Sequence, residues 1–166
     1  MNAYPLIFKF SRPVKTDNFH VAIAAQGRIL MKQEFEKWWV YGVTPGSIAE
    51  SGRTPTEAYY NFLNSFWGVV ADISNEQQDC HSFISALNEF IKAGSAEDEK
   101  EWQEARNAVR SGQLSDSDPF LNLEKITREA YPSITYKRLD EDEKQKMALD
   151  TNKYNNDELL LAKPAA

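Results

Sequence analysis

Along the first fifty residues, apolar positions recur at every second place, the spacing of a strand with one face turned inward. Leu6, Phe8 and Phe10 alternate with Ile7 and Lys9, and Arg12-Pro13 and Thr16-Asp17-Asn18 interrupt the run. Phe19, Val21, Ile23 and Ala25 then alternate, and Gln26-Gly27 offers a tight turn into Arg28 to Phe35. There Ile29, Met31 and Phe35 share one face, while Lys32, Glu34 and Glu36 favour the other. Glu36-Lys37 can turn the chain again into Trp38 to Val43, whose aromatic and β-branched residues suit a pleated surface. A short strand, Ser47 to Glu50, follows the Pro45-Gly46 turn. Such short connections leave no room for crossovers, so the pattern predicts a largely antiparallel meander of four to five strands.

The period then changes. From Pro55 to about Ile73, the residues Ala58, Tyr59, Phe62, Leu63, Phe66, Val69, Val70 and Ile73 recur at three- and four-residue spacing. That is a long helix with a broad stripe to lay across the sheet. Ser74 is the expected cap of a second helix, with Phe83, Ile84, Leu87, Phe90 and Ile91 on one face and Gly94 at its end. Ser95 opens a third, Ala96 to Arg110, whose narrow stripe of Trp102, Ala105 and Val109 reads as a surface helix. Its acids gather early and its arginines late, which suits the helix dipole.

Beyond Gly112 the composition shifts. Ser115 to Pro119 reads as a loop, and Phe120, Leu121, Leu123 and Ile126 suit a short docked helix that Pro132 ends. Asp140 to Asp150 is highly charged, with only Met147 and Leu149 to bury, and Leu159-Leu160-Leu161 follows an Asn-rich patch. The whole reads as an α+β chain: an antiparallel meander packed by a long helix, then further helices and a polar C-terminal arm. The expected divisions are an α+β domain over 1–112, a docked segment over 113–137 and a mobile or partner-docking arm over 138–166.

A chain of 166 residues suits one domain with a real core. The net charge of −6 argues against a general nucleic-acid binder, which needs a positive field to attract phosphates. A single cysteine, Cys80, leaves no internal disulfide and fits a reducing cytosol. Pro5 and Lys9 interrupt the apolar start, so no signal peptide is expected, and no apolar run approaches the roughly 20 residues of a membrane span. The expected setting is cytoplasmic.

No residue set proposes catalysis, and neither a metal nor a cofactor is expected. His20 and His81 form no zinc-binding pair. Cys80 and His81 are sequence neighbours, so on a helix their side chains diverge by about 100°. The acidic runs at Glu97-Asp98-Glu99 and Asp140 to Glu143 lack the alternating oxygens of a calcium loop and read as solvated faces. The aromatics carry more. Trp38, Trp39 and Tyr41 lie on one strand, so large rings project from both of its faces, and Tyr59 and Tyr60 raise the same question at the start of the long helix. These five residues are the candidate partner-binding set, with a homo-oligomeric contact as one use for them.

Residues 44–58 combine a turn, a short strand and a helix start. Thr54 is a good N-cap, Pro55 suits the first helical position, Glu57 completes a capping box, and Gly52 lets the strand bend into the helix. The pattern Pro45-Gly46, a short strand, then Gly52-x-Thr54-Pro55-x-Glu57-Ala58 resembles the HicB antitoxin family over about residues 28–73. The resemblance implies a partial ribonuclease-H-like unit without nuclease activity, whose members bind and block a small basic toxin ribonuclease. Ser51 is an extra residue against that pattern, and residues 1–27 precede the family's usual start. The helices over 74–110 lack the basic face of the DNA-binding element that family members commonly carry, so no direct nucleic-acid binding is expected. The alternative is a stand-alone structural or adaptor protein that self-associates through its aromatic sheet face.

Overall fold

Two long antiparallel strands, β1 (Ala3–Lys15) and β2 (His20–Glu34), form the spine on which the other elements are assembled. The computed structural model describes residues 3–113, 119–120, 122–126, 131–142 and 156–162. After the spine come β3 (Lys37–Thr44), β4 (Ala49–Gly52) and helix α1 (Pro55–Glu76). Helices α2 (Cys80–Lys92) and α3 (Ala96–Arg110) follow, then β5 (Lys125–Ile126), β6 (Ser133–Arg138), the single turn α4 (Leu139–Asp142) and β7 (Asn156–Ala162). The sheet order is β4-β3-β2-β1-β7-β5, with β6 also paired to β2, and among the described residues only β5 and β7 run parallel. This is an α+β fold.

The Thr16 to Asn18 break separates β1 from β2 as expected, but the breaks expected at Pro13 and Gly27 do not occur, for reasons that lie in their neighbours. β1 runs through Pro13. Pro5 and Pro13 bracket Leu6 to Ser11, the stretch that β7 pairs, so each proline sits where β1 has no second partner among the described residues. Proline is tolerated there because no ladder hydrogen bond is lost. β2 runs through Gly27, which is a close approach and not a turn. A Cβ at that position would lie 2.2 Å from the Thr44 carbonyl oxygen and 2.5 Å from the Phe8 ring. Gly27 also marks where β2 changes partners, for β6 pairs residues 21–26 and β3 pairs residues 28–34 along the same edge. The β2–β3 turn is Phe35-Glu36, one residue earlier than the charge pattern suggests, so Phe35 belongs to the turn and not to the strand face.

Even-numbered positions of β1 and odd-numbered positions of β2 face a core closed by α1 and α2. Phe8 meets Phe62 and Phe66 edge-on at 5.3 Å, Phe10 meets Phe66 at 5.2 Å, and Phe19 stacks on Phe83 at 5.2 Å. Burying each such ring contributes roughly 1.5–3 kcal/mol. The apolar stripe of α1 is thus packed against the sheet as its period requires. Helix α1 overruns its expected end: Ser74 is buried within it and donates its hydroxyl to the Ala71 carbonyl at 2.7 Å. The cap of α2 is Asp79, whose carboxylate accepts the Ser82 N–H at 2.8 Å and is held below its ordinary pKa by that bond.

Helix α3 is no mere surface helix. Trp102 is 1% exposed and covers the opposite face of the sheet, together with Ala105, against Ile7, Leu30, Val43, Leu160 and Ala162. Arg28, itself buried, lies 4.6 Å from the Trp102 ring and pairs with Glu99. The chain passes from α2 to α3 around the Pro45-Gly46 turn, where the Gly46 N–H donates to the Ala93 carbonyl at 2.8 Å.

The C-terminal third departs most from the expected organisation. Within the arm expected over 138–166, β7 joins the sheet beside β1, with Leu161 in the α1 core and Leu160 under α3. A strand buried on both faces shows no alternation, so its leucine triplet looks featureless in sequence. Of the short helix expected from Phe120 to Pro132, the described residues 120 and 122–126 form a turn and a strand, and Leu121 and residues 127–130 lie outside the described residues. Phe120 instead packs at 4.7 Å on Tyr4, a turn follows, and β5 runs alongside β7. The Ser115 to Asp118 loop, Leu121, Glu143 to Asn155 and the last four residues lie outside the described residues.

The helix start at Thr54 forms as its residues dictate. The Thr54 hydroxyl accepts the Glu57 N–H at 3.1 Å, while the Glu57 carboxylate accepts the Arg53 N–H at 2.7 Å. Ala58 is fully buried, and its N–H donates to the Thr54 carbonyl at 3.0 Å. Gly52 lies so close that an added Cβ would sit 2.4 Å from the Ala58 nitrogen. Gly52→Ala is therefore expected to cost about 1–3 kcal/mol in urea unfolding. Thr54→Ala should cost about 0.5–2 kcal/mol and Thr54→Ser almost nothing; equal losses would show that the hydroxyl does not cap. Phe66→Ala should cost about 3–5 kcal/mol by the same measurement.

Candidate partner-binding surface

The five aromatics singled out by sequence do not form one patch. Strand alternation sends Trp38 to the α1 side, where its ring packs 6.1 Å from Tyr4 and 5.9 Å from Phe120. Trp39 and Tyr41 project from the other side. They stack with centroids 5.9 Å apart and an interplanar angle of 15°, and both are half-buried. Lys32 lies 5.3 Å from the Tyr41 ring and pairs with Glu101 of α3, while the Tyr41 hydroxyl donates to Glu34 at 3.1 Å. Burial, then the bond to Glu34 and its charge, push the Tyr41 phenol above its ordinary pKa. Tyr59 is buried in the α1 core and belongs to no surface. Tyr60, its neighbour, is 57% exposed.

The most exposed ring among the described residues lies outside that set of five. Phe35 is 99% exposed at the tip of the β2–β3 hairpin, with φ of 50°, and Glu36 beside it has φ of 65°. Two successive positive φ angles make a tight hairpin turn of the kind that usually carries Asn-Gly. A bulky side chain there is uncommon and strained. Phe35 continues the apolar period of β2, so it reads as a strand residue. The available signal was its setting among Gln33, Glu34, Glu36 and Lys37, a polar cluster that is poor strand material and good turn material. The face near this tip carries the Trp39–Tyr41 plate, and α3 beside it supplies acids of which Glu97 and Glu104 are exposed.

A second feature lies on the α1 side. Tyr60, Asn64 and Trp67 of α1 face Phe10, Arg12 and Pro13 of β1 across a groove of about 340 Å³, and Asp157 of β7 closes one side. Arg12 pairs with Asp157 at 2.9 Å and lies 4.6 Å from the Phe10 ring centroid. No sequence signal joins Arg12 to Asp157, because only the pairing of β7 with β1 brings them together. On the opposite face, where α3 does not reach, two shallower hollows of about 220 Å³ each are lined by small or polar residues such as Ser11, Ala24 and Thr135.

Nothing in the described geometry assembles a catalytic constellation from the titratable groups. Cys80, the first residue of α2, is buried and the adjacent His81 is exposed. Among the described residues no three His, Cys, Asp or Glu side chains are grouped to hold a metal ion, and no helix is long and apolar enough to cross a membrane. Asp140 sits below its ordinary pKa because Arg138 hydrogen-bonds to it at 3.1 Å, an arrangement that anchors α4 beside β2.

Two stability measurements follow from these positions. The Tyr59 hydroxyl is buried without a hydrogen-bond partner, and burial, followed by the Asp157 charge, raises its pKa far above 10.0. Folding therefore favours its neutral form, a contribution present below pH 10 and lost as the pH rises above it. Tyr59→Phe should be neutral or stabilising by up to about 1 kcal/mol at pH 7, and should flatten the loss of stability above pH 10. Phe35→Asn should raise stability by about 1 kcal/mol, since asparagine accepts positive φ and the phenyl ring contributes no folded contact. A lowered melting midpoint for Phe35→Asn would show that the ring supports the fold.

Comparison with protein-family models, with curated proteins and with solved structures returns no match to this chain.

Proposed function

We propose that the protein is a non-catalytic protein-binding module of the HicB antitoxin sort, which neutralises a small basic toxin ribonuclease in the cytosol. The observation that carries this reading is Phe35. A strained, fully exposed phenyl ring weakens the isolated fold and has value only when a partner buries it. Covering it contributes roughly 1.5–3 kcal/mol, the weight of an anchor residue. The neighbouring Trp39–Tyr41 plate extends the contact, and the acids of α3 with the net charge of −6 suit a basic partner. The order β2, β3, β4, α1, with Gly52, Thr54 and Glu57 at the helix start, supports the family reading. The half-buried Trp39–Tyr41 plate also favours a second reading, an adaptor that self-associates through this sheet face.

The test is affinity capture from native cytosol with the intact protein and with Phe35→Asn, beside sedimentation of each alone. A small basic protein should be retained by the wild type and lost by the variant, and its association rate should fall as salt rises. Capture that returns only this protein, with a dimer that dissociates in Trp39→Ala, establishes the adaptor instead. RNA or DNA cleavage by the pure protein, abolished by one substitution, overturns both readings.

A further inference from the structure

From the groove between α1 and β1 we infer a second docking site, whose occupant is a proline-rich segment of a partner protein in the polyproline II conformation. It is separate from the hairpin tip, being built on the opposite face of the sheet.

Its walls carry the parts that such recognition needs. Tyr60 and Trp67 stand seven residues apart on α1, which on an α-helix is about 10.5 Å along the axis. A polyproline II helix repeats every three residues, about 9.3 Å. Residues one turn apart on such a ligand therefore meet the two rings in succession, and Pro13 on β1 forms the facing ridge. Between the rings, Asn64 is exposed. Neither its amide nor the half-buried Trp67 indole N–H makes a hydrogen bond among the described residues. A polyproline II segment has no internal hydrogen bonds and offers its carbonyls outward, the acceptors that these two donors lack.

Other occupants fit less well. An added β-strand needs the N–H groups of the β1 edge, and Pro13 removes one where β7 has already ended. An acidic or phosphorylated ligand needs an unspent cation, whereas Arg12 is held by Asp157 at 2.9 Å within a chain of net charge −6. A charge-compensated, aromatic-walled groove with two unpaired donors selects an uncharged, hydrogen-bond-accepting and conformationally stiff ligand. Proline supplies all three properties at little entropic cost.

The test is a titration of the ¹⁵N-labelled protein with a ten-residue proline peptide, beside a glycine-serine peptide of equal length. Saturable shifts are expected at the Trp67 indole N–H and the Asn64 amide with the proline peptide alone. Tyr60→Ala and Asn64→Ala alter exposed residues, and each should weaken binding about tenfold while leaving the urea midpoint within error. Phe35→Asn should leave this binding unchanged, which separates the groove from the partner surface at the hairpin. No saturable shift, an equal response to both peptides, shifts centred on Trp39 and Tyr41, or full binding by Tyr60→Ala would overturn the assignment.

Discussion

The structure depends on a two-strand ribbon that must be buried on both faces at once. Along β1 and β2, Leu6, Phe8, Phe10 and Ile29 face one way while Ile7 and Leu30 face the other. A sheet covered on one side would leave Ile7, Leu30 and Val43 in water, at a cost proportional to their apolar area. The chain meets this constraint by sending α1 and α2 over one face and returning α3 over the other. The passage around the Pro45-Gly46 turn, tied by the bond to Ala93, is what lets one continuous chain cover both sides.

Double coverage also explains where charge sits. Arg28 and Lys32 occupy inward-facing positions of β2 on the α3 side, where bare cations would be costly to desolvate. Glu99 and Glu101 of α3 meet them, and Trp102 and Tyr41 present ring faces to the same cations. The acids gathered early in α3 thus favour the helix dipole and also dock the helix on the sheet. The end of this face that α3 does not reach is lined by small and polar residues such as Ser11, Ala24 and Thr135, which can remain solvated.

The two proposed contact regions differ in physical character. The hairpin tip carries an exposed ring on a strained backbone, which suits burial in a pocket of the proposed partner. The groove is preformed, walled by a helix and a strand, and the Arg12–Asp157 pair neutralises its charge. A protruding ring seeks a pocket on its partner, whereas a preformed groove receives a stiff extended segment. The two proposed contacts lie on different sides of the sheet, so neither proposal requires the surface of the other.

Much local chemistry was legible in the sequence, although the Asp79 cap and the Phe35-Glu36 turn were not, because neighbouring residues offered equally good caps and turns. The period of α1, the caps at Thr54 and Ser95, and the alternation of β1 and β2 rest on side chains acting on their own backbone or one adjoining core. What needed a distant partner was not legible. Gly27 is required by the approach of Thr44 and Phe8, Pro13 is tolerated because among the described residues the pairing of β1 with β7 ends at Ser11, and Leu159 to Leu161 form a strand where β1 offers an edge. The candidate aromatics were visible as residues, but their division among core, stacked plate and groove came from strand register and helix docking. The sequence by itself determined the elements and the faces they must bury. Tertiary structure alone decided which residues stay exposed, because exposure is what remains after every element has found its neighbour.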